Sequence, residues 1–300
     1  MASYIAFTLT ICGIYGLLAL SLNLIWGSAG MVNLGLAGFF GLGAYASALM
    51  TTKSALPIGA GWGIAVLVGA LAGVVITLAT TRVRDDYLAI VTLGFAEVVR
   101  LVASNEIWLT GGTNGISGAP GPYKAALGQN FNGAYLGIVV AVVLMAWWLL
   151  ARLDDSPAGR VLRAIREDAI VAAVAGKRVL RFRVKAFALS AAIAALAGAL
   201  YAHFISFIAP DLLQPLITIY VFLAVAAGGV GRPSGALAGA VLLVAFLEAT
   251  RFLVEQVPAV SAVQRAALRE ILIGLALLIV LRWRPGGLFP ERLRTGTPGR

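Results

Sequence analysis

Apolar runs about as long as a membrane is thick recur along the whole of this chain, with only short polar gaps between them. A helix needs about 20 mostly apolar residues to cross the hydrocarbon core. Inside lipid every backbone donor and acceptor must be satisfied within the protein. On that measure about nine segments emerge, near 4–26, 33–50, 62–81, 87–103, 134–151, 186–207, 215–230, 234–250 and 267–282. The second, fourth, seventh and eighth are short or glycine-rich, and re-entrant or broken segments are expected among them. The fold class is therefore all-α, a polytopic membrane helix bundle, with residues 1–300 read as one transmembrane domain. Composition agrees, since 60% of the residues are hydrophobic and only 12% charged. A soluble domain covers itself with roughly a quarter charged residues.

The charges that remain act as a compass. Residues 152–185 carry Arg152, Arg160, Arg163, Arg166, Lys177, Arg178, Arg181, Arg183 and Lys185, and the C-terminal tail carries Arg282, Arg284, Arg292, Arg294 and Arg300. Arg82 and Arg84 form a smaller cluster, whereas the gaps 51–61 and 104–133 hold only Lys53 and Lys124. The positive-inside rule then places the first three groups in the cytoplasm, with the N-terminus outside and the C-terminus inside. A net charge of +10 would otherwise invite a nucleic-acid partner, but these residues sit between apolar runs and not on one face of a soluble fold, so that class is excluded. No Lys or Arg precedes the first apolar run, so Tyr4 to Trp26 reads as a retained helix and not as a cleaved leader.

Small residues at every fourth position predict close helix contacts. Gly61, Ala65, Gly69, Gly73 and Thr77 form one such stripe, Gly231, Gly235 and Gly239 another, and Ala194, Gly198 and Ala202 a third. Small side chains let backbones approach where lipid removes the hydrophobic drive for helix association. These stripes speak of packing and not of cargo. Two glycine-rich entries into apolar helices, at Gly35 and Gly228, hint at an internal repeat that composition alone would also produce.

Between Arg152 and Lys185 the pattern changes. Asp155 or Ser156 is placed to cap a helix whose first turn holds Pro157, and Gly176 is a natural stop followed by Lys177 and Arg178. Val161, Ile165, Ala169 and Ala172 fall at helical spacing, while Arg160, Arg163 and Glu167 fall off that stripe. An amphipathic helix over about 157–176, outside the bilayer, is expected. One reading lays it on anionic lipid. The other docks it in the groove of a cytoplasmic partner, which Glu167, Asp168 and the small residues Ala172, Ala173 and Ala175 suit better.

The remaining chemistry is sparse. Gly111-Gly-Thr-Asn-Gly115 lacks the Lys-Ser/Thr of a phosphate-binding loop, so no ATP site is expected in this chain and no catalytic residue is assigned. His203 and Cys12 are each the only residue of their type, so no metal site, cofactor or intrachain disulfide is expected, and His203 reads as a packed histidine. Glu97 and Arg100 lie three apart on one helix face, deep enough that they must meet protein or water. They read equally as part of a translocation pathway and as an ion pair tethering helices. Asn33 and Glu248 are weaker candidates of the same kind.

Several stretches together carry a family likeness: Leu22-Asn-Leu-Ile-Trp-Gly27, Gly38-Phe-Phe-Gly-Leu-Gly-Ala-Tyr45, the run from Asp86 to Arg100, Leu109-Thr-Gly-Gly-Thr-Asn-Gly-Ile116, the run from Gly159 to Asp168, Ala197-Gly-Ala-Leu-Tyr-Ala202 and Arg284-Pro-Gly-Gly-Leu288. In this order they resemble the LivM-type permease subunits of bacterial ABC importers for branched-chain amino acids. The resemblance implies an inner-membrane pore formed with a second permease, two ATP-binding subunits that hydrolyse ATP, and an extracytoplasmic solute-binding protein. It implies that residues 157–176 are the coupling helix, with Arg160, Arg163, Glu167, Asp168, Ala172, Ala173 and Gly176 meeting the ATPases, while Asn33, Glu97 and Arg100 stay the candidates for the translocation pathway that their position alone suggests. Leu36-Ala37 stands where many members have a His. A largely apolar pathway fits leucine, isoleucine or valine. An importer of urea or an amide, or a standalone transporter or channel whose basic loop binds lipid, are the alternatives.

Overall fold

A computed structural model describes residues 2–54, 56–81, 85–255, 262–283 and 286–289 of the chain. Arg82, Arg84, Arg284, Arg292, Arg294 and Arg300 lie outside the described residues. The helices run in order as α1 (Ala2–Leu22), continued by a π turn (Asn23–Ser28), α2 (Leu36–Lys53), α3 (Ile58–Ala79), α4 (Asp85–Asn105), α5 (Ile107–Thr110), α6 (Lys124–Leu127), α7 (Phe131–Asp155), α8 (Pro157–Glu167), α9 (Ala169–Val174), α10 (Val179–Ile205), α11 (Pro215–Gly228), α12 (Pro233–Glu255) and α13 (Ala262–Trp283). Two short strands, β1 (Ile116–Ser117) and β2 (Phe207–Ile208), pair antiparallel, with Ile116 opposite Ile208.

Each of the nine expected segments is helical. Among the described residues six helices are long and apolar enough to cross a membrane: Ala2–Ser28, Ile58–Ala79, Tyr87–Asn105, Phe131–Asp155, Val179–Ile205 and Pro233–Phe252. The fourth and eighth segments, expected to be short or broken, are thus full-length, because their helices run on through polar residues at the ends. The second and seventh are the short ones, with 18 residues in α2 and 14 in α11.

Helix α10 is the central post, fully buried at Ala191, Ala194, Ala197 and Leu200. The small-residue stripes explain how its neighbours reach it. In α3 the buried residues are Gly61, Ala65, Gly69, Gly73 and Thr77, the predicted set. Gly69 and Gly73 press on Ala191 and Ala195 of α10, and Gly61 on Ser47 and Thr51 of α2. Gly198 packs on the Phe40 carbonyl while Gly43 packs on the Ala195 carbonyl, so α2 and α10 cross at backbone contact. The third glycine stripe works alike, Gly239 meeting the Ala224 carbonyl of α11.

At one end of the bundle the π turn, the α11–α12 turn and α8 converge. Asn23 Oδ1 accepts from the Gly231 amide at 2.8 Å, and Ser28 Oγ donates to Asp154 Oδ1 at 2.9 Å. Arg166 donates to the Gly27 carbonyl. The Leu288 and Phe289 amides donate to the carbonyls of Ala227 and Gly228, fixing the segment after α13 to the same end. Residues 152–185 therefore gather their positive charge at this basic end.

The opposite end is strapped by polar contacts. Lys53 Nζ donates to the Trp108 and Leu109 carbonyls at 2.9 Å, and Lys124 Nζ to Ser206 Oγ at 2.9 Å. His203 is fully buried, with Nδ1 2.7 Å from the Pro120 carbonyl and Nε2 2.8 Å from Ser47 Oγ. A carbonyl only accepts, so Nδ1 carries the proton and Nε2 accepts from Ser47. This histidine is a packed one that pins the 111–130 segment to α10 and α2. His203→Ala strands the buried Ser47 hydroxyl and frees the Pro120 carbonyl, at a cost of about 1–3 kcal/mol. The expected results are a lower melting temperature in detergent and faster proteolysis within 111–130, with unaltered values placing the strap elsewhere.

Candidate functional site

The loop expected to form one helix over 157–176 forms two. Ser156 caps α8 by accepting from the Gly159 amide, and Pro157 occupies its first turn. At Asp168 the backbone turns extended (φ −154°, ψ 108°), and its carboxylate accepts from the Ile170 and Val171 amides at 2.8 and 3.0 Å. A side chain that caps a new helix competes with continuation of the old one. Asp168 therefore ends α8 and starts α9. Gly176, at φ +78°, lies just beyond α9 in the left-handed region that favours glycine.

The buried stripe also differs from the expected one. Leu162, Ile165 and Ala172 are buried, whereas Val161 and Ala169 are half-buried. Arg160, Glu167, Asp168, Ala173 and Gly176 are exposed and Arg163, half-buried, donates to the Asp154 carbonyl at 2.9 Å. Three apolar residues that the helical pattern did not single out stand out on α9: Ile170, Val171 and Val174 are 77%, 64% and 85% exposed. Their spacing puts them on one side of a single turn.

Arg166 joins this loop to the membrane helices. Besides its bond to Gly27, its side chain packs over Gly30, so an added Cβ at Gly30 would strike it. Gly30 itself has φ +70°. Arg166 thus ties α8 to the π turn at the end of α1. Such π turns concentrate at functional positions in helices.

Glu97 and Arg100 sit on α4, about 12 and 8 Å along the helix from its end at Asn105. Arg100 Nε donates to Glu97 Oε2 at 2.9 Å, and Nη2 to Oε1. Both belong to α4, so the pair joins no two helices of this chain. Their side chains remain 42% and 27% exposed, on the flank of a helix whose buried stripe is Leu88, Thr92, Ala96 and Ala103, with Arg100 bordering that stripe.

Asn33 lies apart from this pair. It is buried in the irregular stretch between the π turn and α2, where Oδ1 accepts from the Gly35 amide at 2.9 Å and Nδ2 has no hydrogen-bond partner among the described residues. Beside it the Leu34 amide donates to Thr92 Oγ1 on α4. Leu36 is fully buried, and the Ala37 amide donates to Thr218 Oγ1 of α11, so no ionisable group enters that contact. Glu248 accepts from the Tyr4 hydroxyl at 2.9 Å and lies 3.8 Å from Arg251, linking α12 to α1.

Residues 4–281 match the model of the family described as branched-chain amino acid transport system / permease component. The chain belongs to this family. It is 33% identical to the high-affinity branched-chain amino acid transport system permease protein LivM of Salmonella typhimurium, over 94% of this chain and 69% of that protein. It is 29% identical to a probable branched-chain amino acid transport permease protein LivM of Methanocaldococcus jannaschii, over 93% of this chain and 91% of that one. Identity to the permease protein LivH of Salmonella typhimurium is 26%, over 78% of this chain and 80% of that protein. No solved structure matches the chain. Family membership and six membrane-length apolar helices make it a multi-pass membrane protein and a transport permease component, not itself an enzyme.

Proposed function

We propose that the chain, as one domain over 1–300, is the LivM-type translocation subunit of an ATP-driven importer of leucine, isoleucine and valine in a bacterial inner membrane. The observation that carries this is the match to LivM permease proteins over 94% of the chain. A different permease subunit of the LivH type completes the pore, two ATP-binding subunits hydrolyse ATP, and an extracytoplasmic binding protein delivers the solute. The basic end faces the cytoplasm, because nine basic residues from Arg152 to Lys185 lie there. With α2, α11 and α13 counted as membrane segments the total is nine, the N-terminus is outside and the C-terminus inside.

Residues 152–185 form the coupling loop. Arg160, Glu167, Asp168, Ala173 and Gly176 are available to the ATPases on its outer side, and Ile170, Val171 and Val174 supply the apolar anchor. Arg163 and Ala172 hold the loop against the rest of the chain. Lipid cannot solvate the half-exposed charges of Glu97 and Arg100 at their depth, so they face the second permease or a water-filled pathway. Asn33, buried with a free amide, would shape that pathway from inside the chain and not line it directly.

The test is reconstitution in proteoliposomes with the LivH-type subunit, the ATPases and the binding protein. Accumulation of leucine only when ATP is supplied is the expected result. Leucine uptake by this chain alone, driven by an ion gradient, would replace the importer by a standalone transporter. Urea or an amide carried in preference to leucine would replace the cargo.

A further inference from the structure

A cavity of about 220 Å³ opens between α1, α10 and the start of α11. Ile11, Ile14 and Leu18 of α1, Phe40 of α2 and Ile217 of α11 give it an apolar wall. Asp211 and Gln214, in the turn leading from β2 to α11, are its exposed lining residues, while the apolar ones are buried or half-buried. A hydrophobic slot with a few polar groups at its accessible side is the usual form of a small-molecule site.

Its depth follows from α11. That helix ends at Gly228, at the basic end, and its 14 residues rise only about 21 Å of a core about 30 Å thick. The amino end of α11 therefore begins well below the opposite surface. Half-helices that start inside the membrane direct their amino ends at anionic groups of substrates. The Gln214 side chain makes no capping hydrogen bond to α11, the Gln214 carbonyl accepts from the Ile217 amide at 3.2 Å, and Pro215 has no amide hydrogen to offer or to satisfy.

Asp211, like Asp155 and Glu167, has no side-chain hydrogen-bond partner among the described residues. Glu97, Glu106, Asp154, Asp168 and Glu248 each accept a hydrogen bond within the chain. Asp211 makes no hydrogen bond or ion pair with another described residue, and lies in the longer-range field of Arg100 on α4 and near the Tyr45 hydroxyl of α2. Its exposed carboxylate, at the edge of the apolar slot, is open to a cation from outside the chain.

We infer that this cavity is a subsite for a zwitterionic aliphatic amino acid, with the ammonium on Asp211, the carboxylate toward the amino end of α11, and the side chain among Ile14, Leu18 and Phe40. The inference rests on the importer reading given above and adds to it where in this chain the cargo pauses. The three groups of the ligand meet three different surfaces, so an apolar guest without charges would leave Asp211 unanswered. Because α1 also ends in the π turn gripped by Arg166, the wall of the slot and the coupling loop share one helix.

The complete importer in proteoliposomes is supplied with ATP and a diazirine analogue of leucine, irradiated and digested. Label on the peptide containing Ile11 to Leu18, removed by excess leucine, is the expected result. Asp211→Asn should raise the KM for leucine about tenfold, as expected for loss of a desolvated charge pair. Ile11→Trp, at a half-buried position, should lower leucine uptake about tenfold or more while sparing alanine, since pockets discriminate side chains by this order. Wild-type complex that accumulates leucine but is labelled elsewhere, or labelled here without competition by leucine, overturns the subsite and leaves the importer standing. A wild-type complex that fails to accumulate leucine on ATP removes the importer reading itself.

Discussion

Gly198→Leu is expected to abolish accumulation of the folded chain. By propensity alone the change should help, because glycine costs a helix about 1 kcal/mol relative to alanine. At this position the gain is overridden. A Cβ on Gly198 would fall inside the Phe40 carbonyl and against the Ala44 amide, both backbone atoms that no rotamer change can withdraw. The α2–α10 crossing would have to open, and with it the pairing of Gly43 on the Ala195 carbonyl. Overpacking usually costs about 1–3 kcal/mol, and more when backbone must move, which exceeds the propensity gain. Gly63→Leu is the control, since nothing lies within 4 Å of an added Cβ there. Size-exclusion chromatography of fluorescent fusions in mild detergent separates the two. Equal monodisperse peaks for both variants would show that the crossing is looser than the structure has it.

Why this contact could be read in advance is physical. A stripe such as Gly61, Ala65, Gly69, Gly73 and Thr77 repeats every four residues, so it needs only local spacing to declare a helix face. The break at Asp168 was hidden because Glu167-Asp168 fits the polar face of a continuing helix equally well. Nothing short of the backbone dihedral distinguishes a mid-pattern aspartate from a cap. The same ambiguity misplaced the buried stripe on Val161 where Leu162 is the residue that packs, a register error of one position.

The cavity was illegible for a different reason. Its walls come from α1, α2, α10 and α11, far apart in the chain, and no spacing rule connects Ile14 with Asp211. The available signal was a lone aspartate in an apolar stretch just before Pro215, which in sequence looks like any loop residue. Glu97 and Arg100 present the intermediate case. Their spacing announced the pair, yet which surface the pair faces depends on α4 burying Leu88, Thr92 and Ala96 on its other side.

Val174→Glu should leave the permease folded and nearly eliminate its ATP-driven uptake. Val174 is 85% exposed, and within the chain only Ala172 of α9 is buried, so the substitution should change the stability of the chain by no more than about 0.5 kcal/mol. If α9 docks on the ATPases as proposed, the same position lies in the interface beside Ile170 and Val171. Burying a carboxylate in such an interface costs several kcal/mol, enough to lower association by about two orders of magnitude or more. A lipid surface would not require this geometry, because α9 has six residues and its flanks carry Asp168 on one side and Lys177 and Arg178 on the other. A protein groove accounts for both the short length and the sharp stops at Asp168 and Gly176. On that proposal the connection from α9 to the π turn of α1 runs through α8 and Arg166. Affinity purification through a tag on this chain should recover the second permease with Val174→Glu but little of the ATPases, and leucine uptake should fall in parallel. Full recovery of the ATPases with normal uptake would move the docking surface off α9, and loss of ATPases with Val174→Ala as severe as with the carboxylate would mean that packing, not charge burial, sets the strength of the contact.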